Sequence, residues 1–163
     1  MEQRTLRRFQ ADDTAQVCQL YAATTRLING TDYTPEQIER WAHFADDVDG
    51  WCERLLRHRT NVIASAGRIL GFAELEGDGE VGYFYVDAHH QGRGIGSSLM
   101  LALVADAQAQ SSLQLRAAVS ISALPFFQRH GFTTTAVNRP LVCGVEAVQY
   151  RLARSLTDRL SPP

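Results

Sequence analysis

Apolar residues recur at helical spacing over the first third of the chain, then gather into short strand-like runs from residue 60 onward. Residues 4–9 read as a short edge strand. Asp12, Asp13 and Thr14 offer N-caps for a helix carrying Val17, Leu20, Tyr21 and Leu27 at helical intervals, and Asn29-Gly30 marks a turn after it. Pro35 suits the first turn of a second helix, from 36 to about 44, with Ile38 and Trp41 three apart on one face. Asp49-Gly50 separates it from a third short helix over 51–58. Beyond residue 60, two strands at 61–66 and 69–76 flank a hairpin signal at Gly67-Arg68, and Gly77-Asp78-Gly79 turns the chain into a strand over 80–86. A glycine-rich loop leads into a long helix ending near 110, with Leu99, Leu103 and Val104 as its apolar stripe. A strand over 113–119 follows, then a short helix over 121–130 closed by Gly131. Strands at 132–138 and 141–152 end the pattern. The order βαα(α)βββαβαββ specifies an α/β domain over residues 1–153 with a mixed, mostly antiparallel sheet of about seven strands flanked by helices. Residues 154–163 read as a polar tail.

Composition narrows the function more by what it excludes. With 45% hydrophobic and 21% charged residues, a chain of 163 residues buries enough surface to fold without a metal or disulfide. Cys18, Cys52 and Cys143 are odd in number and far apart, which fits small buried thiols better than a disulfide framework or a zinc site. No apolar run reaches the roughly 18 residues of a membrane span, and Met1-Glu2-Gln3-Arg4 lacks the apolar core of a signal peptide, so a cytoplasmic protein with no membrane partner is expected. A net charge of −2 gives no basic footprint for nucleic acid. All 16 basic residues are arginine. Without lysine there is no Schiff-base chemistry and no Walker-type phosphate lysine, so a phosphate site must rely on backbone amides and arginine.

Such a site is visible at Gln91-Gly92-Arg93-Gly94-Ile95-Gly96-Ser97, between a strand and a long helix. Alternating glycines let successive N–H groups converge at the positive end of the helix dipole, which suits a phosphate. The dinucleotide fingerprint fails here: the third glycine position holds Ser97, and Ser111 to Arg116 supplies no acidic residue for the ribose. What remains is Gln-x-x-Gly-x-Gly after an apolar strand. A second motif, Ala123-Leu124-Pro125-Phe126-Phe127-Gln128-Arg129-His130-Gly131-Phe132, follows one helix and one strand later. By these two motifs and the element order over about residues 3–152, the sequence resembles the GCN5-related N-acetyltransferase (GNAT) superfamily. The segment from Asp32 to Trp41, with Gly71-Phe72-Ala73-Glu74-Leu75, is similar to a bacterial subgroup of small-molecule acetyltransferases.

The resemblance implies the GNAT fold and direct attack of an amine on the thioester of acetyl-CoA, the implied co-substrate. It places the pantetheine arm on main-chain groups of Phe84, Tyr85 and Val86, and the pyrophosphate on the loop of Gln91, Gly92, Arg93, Gly94, Ile95, Gly96 and Ser97. Ser120 and Phe127 stand where the family often has an asparagine and a proton-donating tyrosine, so the usual general acid is missing. No metal is needed, and the adjacent His89 and His90 are read as solvent-exposed loop. The family's base position, six residues before the strand end, matches Glu80. Counting alternate positions puts Glu80, Gly82 and Phe84 on one strand face and Tyr83 and Tyr85 on the other. Glu80 also fits a solvated strand start, with Glu74 and Glu76 as fallback bases. Acceptor recognition falls to the first two helices, with Tyr33, Gln37 and Trp41 as candidates and His43 one turn beyond; Trp41 suits helix core equally. The leading reading is an N-acetyltransferase for a small-molecule amine, with a homodimer admitted as its assembly. Acetylation of a protein N-terminus or lysine, for which Asp46, Asp47 and Asp49 are the acidic cluster, and an inactive acyl-CoA sensor are the alternatives.

Overall fold

A computed structural model describes residues 3–28, 33–142 and 144–157. The expected turn at Asn29-Gly30, Asp32, Cys143 and the last six residues of the tail lie outside the described residues. The elements are β1 (Arg4–Arg8), α1 (Thr14–Ile28), α2 (Pro35–Ala42), α3 (Val48–Arg57), β2 (Arg59–Ser65), β3 (Arg68–Leu75), β4 (Glu80–Val86), α4 (Ile95–Ala109), β5 (Gln114–Val119), α5 (Leu124–Arg129), β6 (Thr133–Asn138), β7 (Leu141–Val142), β8 (Val145–Glu146) and β9 (Gln149–Ser155). Seven strands form one sheet in the order β1-β2-β3-β4-β5-β9-β6, and every neighbouring pair is antiparallel except β4 with β5. This is the mixed, mostly antiparallel α/β sheet that the element order specifies.

Local chemistry explains where several boundaries moved. Asp47, not Asp49-Gly50, starts the third helix: its carboxylate accepts the Gly50 N–H at 3.1 Å, which draws Asp49 and Gly50 into the first turn. The β2–β3 turn is Ala66-Gly67, with φ +48° and +76°, and Arg68 already belongs to β3. The expected long final strand is broken. Leu141–Val142 pairs with Val145–Glu146 as a small β7–β8 ribbon, and β9 starts only at Gln149, where β5 and β6 flank it on both sides. That strand runs to Ser155, two residues into the expected tail.

Two apolar layers cover the sheet. On one face α1 and α3 pack Val17, Tyr21, Trp51 and Leu55 against Val62, Ile69 and Phe72. On the other, α4 and α5 pack Ile95, Leu99, Leu103 and Phe127 against Leu70, Ala73, Leu115, Ala117 and Leu152. β4 touches both layers unusually. Gly82 and Tyr83 together oppose the single residue Glu74 of β3, a β-bulge that reverses side-chain parity within the strand. Val81, Phe84 and Val86 therefore face α4 and α5, whereas Tyr83 and Tyr85 face α1 and α3. Glu80 reaches Arg116 and Arg151, whose neighbours Leu115, Ala117 and Leu152 point into the α4 layer, so it lies on the α1 side with the tyrosines. The alternate-position count is corrected on this point: Glu80 shares a face with Tyr83 and Tyr85, not with Phe84.

α4, which carries the glycine loop at its start, is anchored near its other end. Asp106 is 8% exposed and accepts hydrogen bonds from Arg8 and from Asn61 Nδ2 at 2.8 Å, tying the helix to β1 and β2. Burial alone would raise this carboxyl, but hydrogen bonds from Arg8 and Asn61 outweigh it and hold the group below the ordinary carboxylate range. A depressed carboxyl stabilises the fold above its unfolded-state value and loses that contribution as pH falls through its folded value. Asp106→Asn is therefore expected to cost about 1–3 kcal/mol at pH 7, since it leaves Arg8 without its counter-charge. The difference from wild type should shrink as pH falls below about 4, where the unfolded chain's carboxyl takes up a proton before the native one does. Urea unfolding at both pH values checks this, and an unchanged difference at low pH would refute it.

Candidate functional site

β4 and β5 are paired only at Glu80–Arg116 and Val81–Ala117; beyond that point the two parallel strands separate. A cavity of about 800 Å³ fills the opening. It runs from the glycine loop (Gln91, Gly92, Gly94, Ile95, Gly96 and Ser97), past Phe84 and Val86 on β4, Val119 at the end of β5 and Ser120 after it, to an aromatic chamber at α1 and α2.

At the loop end, Gly92 and Gly94 have φ of +70° and +80°, the left-handed region glycine adopts without strain. The first bond inside α4 runs from the Ser98 N–H to the Gly94 carbonyl, so the amides of Ile95, Gly96 and Ser97 precede the helical ladder. At Gly96 the helix passes close to α5, and a Cβ there would lie 2.9 Å from the Phe126 ring. Arg93 departs from expectation. It does not line the cavity, and its carbonyl accepts from Arg4 Nη1 at 2.7 Å, fastening the loop to β1. Ser120 caps α5 through its carbonyl, which accepts from the Ala123 and Leu124 N–H groups, while its hydroxyl meets that of Ser122 at 3.0 Å. Phe127 is 3% exposed, with its ring edge-on to Phe84 and Phe132. It is a core side chain that reaches the cavity wall.

In the middle, the main chain of β4 matters more than its side chains. The Asp87 N–H bonds to the Leu70 carbonyl, and alternation along an antiparallel ladder then gives Tyr85 the same role against Phe72. The N–H and C=O groups of Phe84 and Val86 are left facing the opening. Of the three expected main-chain contacts, that of Tyr85 is spent within the sheet, and its phenol lines the chamber instead.

The far chamber is walled by Tyr21, Thr24, Thr25 and Ile28 from α1, Tyr33 and Trp41, and Tyr83 and Tyr85 from β4. Tyr33 and Trp41 meet edge to face at 4.5 Å, and Tyr33 donates to the Val148 carbonyl at 3.2 Å. Gln37, by contrast, does not line the cavity. Its Oε1 accepts the Thr34 N–H at 2.8 Å in a capping box and its Nε2 donates to the Glu146 carbonyl, so both ends of its amide are spent holding α2 in place. Burial pushes the phenols of Tyr21, Tyr83 and Tyr85 above the ordinary range, most strongly for the first and last, and keeps all three protonated at neutral pH. His43 points elsewhere, to Asp46 at 2.7 Å.

The carboxylates differ sharply in access. Glu80 lines the cavity, with Arg116 Nε at 3.3 Å and Arg151 Nη1 at 3.5 Å beside its oxygens. Glu76 lines it too and pairs with Arg54 Nη2 at 2.7 Å. Glu74 is fully buried and cannot serve as a base. It holds Arg54 through two bonds of 2.9 Å, takes a 2.6 Å hydrogen bond from His58, and accepts the Tyr83 N–H of the bulge at 3.0 Å. His58, Glu74 and Glu76 stand close enough together to suggest a metal, but the Arg54 guanidinium already spans both carboxylates. The Cys18 thiol is buried and pushed up by that burial to about 11, which removes it from nucleophilic chemistry at neutral pH. Among the described residues, no helix is long and apolar enough to cross a membrane.

Sequence reasoning placed acceptor recognition on the first two helices but named none of the α1 wall residues Tyr21, Thr24, Thr25 and Ile28, and it missed the Arg54–Glu74 pair. A glycine in the middle of a strand, Gly82, was the available signal for a bulge.

Residues 29–154 match the acetyltransferase (GNAT) domain family. The chain is 28% identical over 134 residues to an uncharacterized N-acetyltransferase, YafP, of Escherichia coli K12, covering 82% of this chain and 84% of that protein. Among solved structures, a GCN5-related N-acetyltransferase from Rhodopseudomonas palustris superposes with a TM-score of 0.90 at 29% identity, over 95% of this chain and 97% of that one. The fold is shared at 15% identity by PaiA N-acetyltransferase from Thermoplasma acidophilum, solved with coenzyme A, with a TM-score of 0.78 over 94% and 99% of the two chains. With its sheet opened between β4 and β5 over a glycine loop, this chain belongs to the GNAT family of N-acetyltransferases.

Proposed function

We propose that this enzyme moves the acetyl group of acetyl-CoA to an amine of a small molecule by direct attack in a ternary complex. The observation that carries the small-molecule reading is the strap across the acceptor end of the cavity. Tyr33 and Gln37 hydrogen-bond to the carbonyls of Val148 and Glu146, so α2 and the segment before β9 meet over the chamber. A chamber walled on these sides, within a cavity in the size range of small-ligand sites, favours a compact acceptor over a protein chain. The acidic cluster that favoured a protein substrate is committed elsewhere: Asp47 caps α3 and Asp46 holds His43.

The loop fits a diphosphate. Left-handed glycines with open space around Gly92 and Gly94 let the main chain approach it, and the first amides of α4 supply the donors. The cleft-facing main-chain groups of Phe84 and Val86 suit the pantetheine amides, and an N–H among them suits the developing oxyanion. Acetyl-CoA supplies the activated acyl group; the chain's own residues orient the amine and take its proton. Glu80 is the base, directly or through one water. It lines the cavity on the face of β4 that the acceptor reaches, and its two arginines keep its side chain in place. None of the phenols of Tyr21, Tyr83 and Tyr85 is a good acid for the leaving thiolate, because all three are pushed up from their ordinary range near 10, well above a simple thiol. The thiolate leaves as the anion.

Two outcomes test this reading. Gly94→Val forces a branched side chain into a left-handed conformation and is expected to cost about 1–3 kcal/mol of stability. It should also weaken CoA binding by at least roughly tenfold, as a loss of about 1.4 kcal/mol of binding energy would. Unchanged affinity by calorimetry in a folded variant would refute the loop assignment. For the base, Glu80→Gln should leave CoA affinity nearly intact while lowering turnover by roughly 10²–10⁴-fold, with the residual rate climbing as pH releases free amine. The check is a pH–rate profile with one accepted amine drawn from a panel. Equal rates at every pH would transfer the role to Glu76, and tight CoA binding with no turnover on any amine would favour an acyl-CoA sensor.

A further inference from the structure

The seam between α5 and the start of α4 contains a titratable group that the reaction scheme leaves unused. His130, at the C-cap of α5, is half-buried and lines the loop end of the cavity. Its Nδ1 is 2.9 Å from the Phe126 carbonyl, an acceptor, so that nitrogen carries a proton and donates. Its Nε2 is 3.1 Å from the hydroxyl oxygen of Ser97, in the first turn of α4 among the amides assigned to the diphosphate. The ring lies against Phe126 at a centroid distance of 4.3 Å, tilted by 36°, and Phe126 packs on Gly96. Turning the imidazole away from Ser97 would also give up its bond to the Phe126 carbonyl.

With Nδ1 committed as a donor, the charge on the ring decides what Ser97 can do. In the neutral ring Nε2 accepts, so the Ser97 hydroxyl spends its only proton on His130 and presents lone pairs to an incoming anion. In the imidazolium Nε2 donates, and the Ser97 proton is released toward the anion. We infer that His130 is a positioning residue for the co-substrate: diphosphate binding protonates it, and the imidazolium turns the Ser97 hydroxyl into a diphosphate donor. The inference rests on the loop assignment made above and adds a proton to that binding step. The proton comes from the buffer and stays on Nε2. Charged groups around this seam are Arg129 next along α5, Arg154 of β9 against Gly131, His90 with its partner Asp87 before the loop, and Arg93 and Arg4 at the loop's outer side. The arginines keep one charge throughout, leaving His90 as the other imidazole beside the loop.

The test is calorimetric binding of dephospho-coenzyme A, which keeps the diphosphate but lacks the 3′-phosphate that itself titrates near pH 6. Measurements span about pH 6 to 7.5, below the ordinary thiol range, in buffers of different ionisation enthalpy. Wild type should take up a fraction of a proton on binding. Its affinity should fall as pH rises, by up to roughly tenfold for each unit by which the bound anion raises the imidazole. His130→Gln should show neither effect, His90→Gln should keep both, and Ser97→Ala should flatten the pH dependence. A purely structural role for His130 would lower affinity equally at every pH. Wild type binding without proton uptake, or uptake unchanged in His130→Gln, would overturn the inference while leaving the loop assignment standing. If dephospho-coenzyme A fails to bind wild type at all, both fall together.

Discussion

A carboxylate with no solvent access decides which way the strand at the cavity faces. Glu74 lies beneath β4 and accepts the Tyr83 amide that the bulge withdraws from the ladder, and a Cβ on Gly82 would overlap it. Burying such a charge is costly unless it is paired and fully hydrogen-bonded, and Arg54 and His58 supply that pairing from α3 and the residue after it. The glycine makes room, the carboxylate takes the freed amide, and the guanidinium neutralises the carboxylate. Each of the three is needed by the other two. Their joint product is a strand that presents Phe84 and Val86 to one layer and Glu80, Tyr83 and Tyr85 to the other.

That reversal is what gives the opening between β4 and β5 two chemically distinct ends. On the α4 side lie a glycine loop, helix amides and a phenylalanine wall, suited to a long anionic cofactor with an apolar arm. On the α1 side lie protonated phenols, an indole and two carboxylates within reach of arginines, suited to a polar acceptor. A strand with regular alternation would have mixed the two sets of side chains along a single wall. The sheet separates them, and only the main chain of β4 is shared by both.

Legibility from the sequence followed the range of the interaction involved. The glycine loop, the Gly131 helix end and the boundaries of β4 rest on local backbone rules, and each lies where the residues predict. The third helix start was displaced because two aspartates compete as N-cap, and only geometry shows that Asp47 reaches the Gly50 amide. Gln37 looked like a pocket residue because a glutamine on a polar helix face carries no mark of its partners, which are a carbonyl 109 residues away and the cap of its own helix. The face assignment for Glu80 failed through a single inserted residue, since one bulge inverts every position on the far side of it. Glu74 was read as a spare base because the arginine that pairs with it comes from a helix, twenty residues earlier. The long-range pairings are what period counting cannot supply.

The absence of lysine acquires a further meaning once the cavity is seen. Every ion pair among the described residues uses a guanidinium or an imidazole, and Arg54, Arg116 and Arg151 crowd Glu76 and Glu80, the carboxylates that line the cavity. An activated thioester acylates any unprotonated primary amine that reaches it, and a lysine beside Glu76 or Glu80 would be such an amine. Guanidinium stays protonated under all ordinary conditions and offers no lone pair to a carbonyl. The cavity wall that carries Glu76 and Glu80 is thus built with cations that cannot compete with an acceptor amine for a thioester.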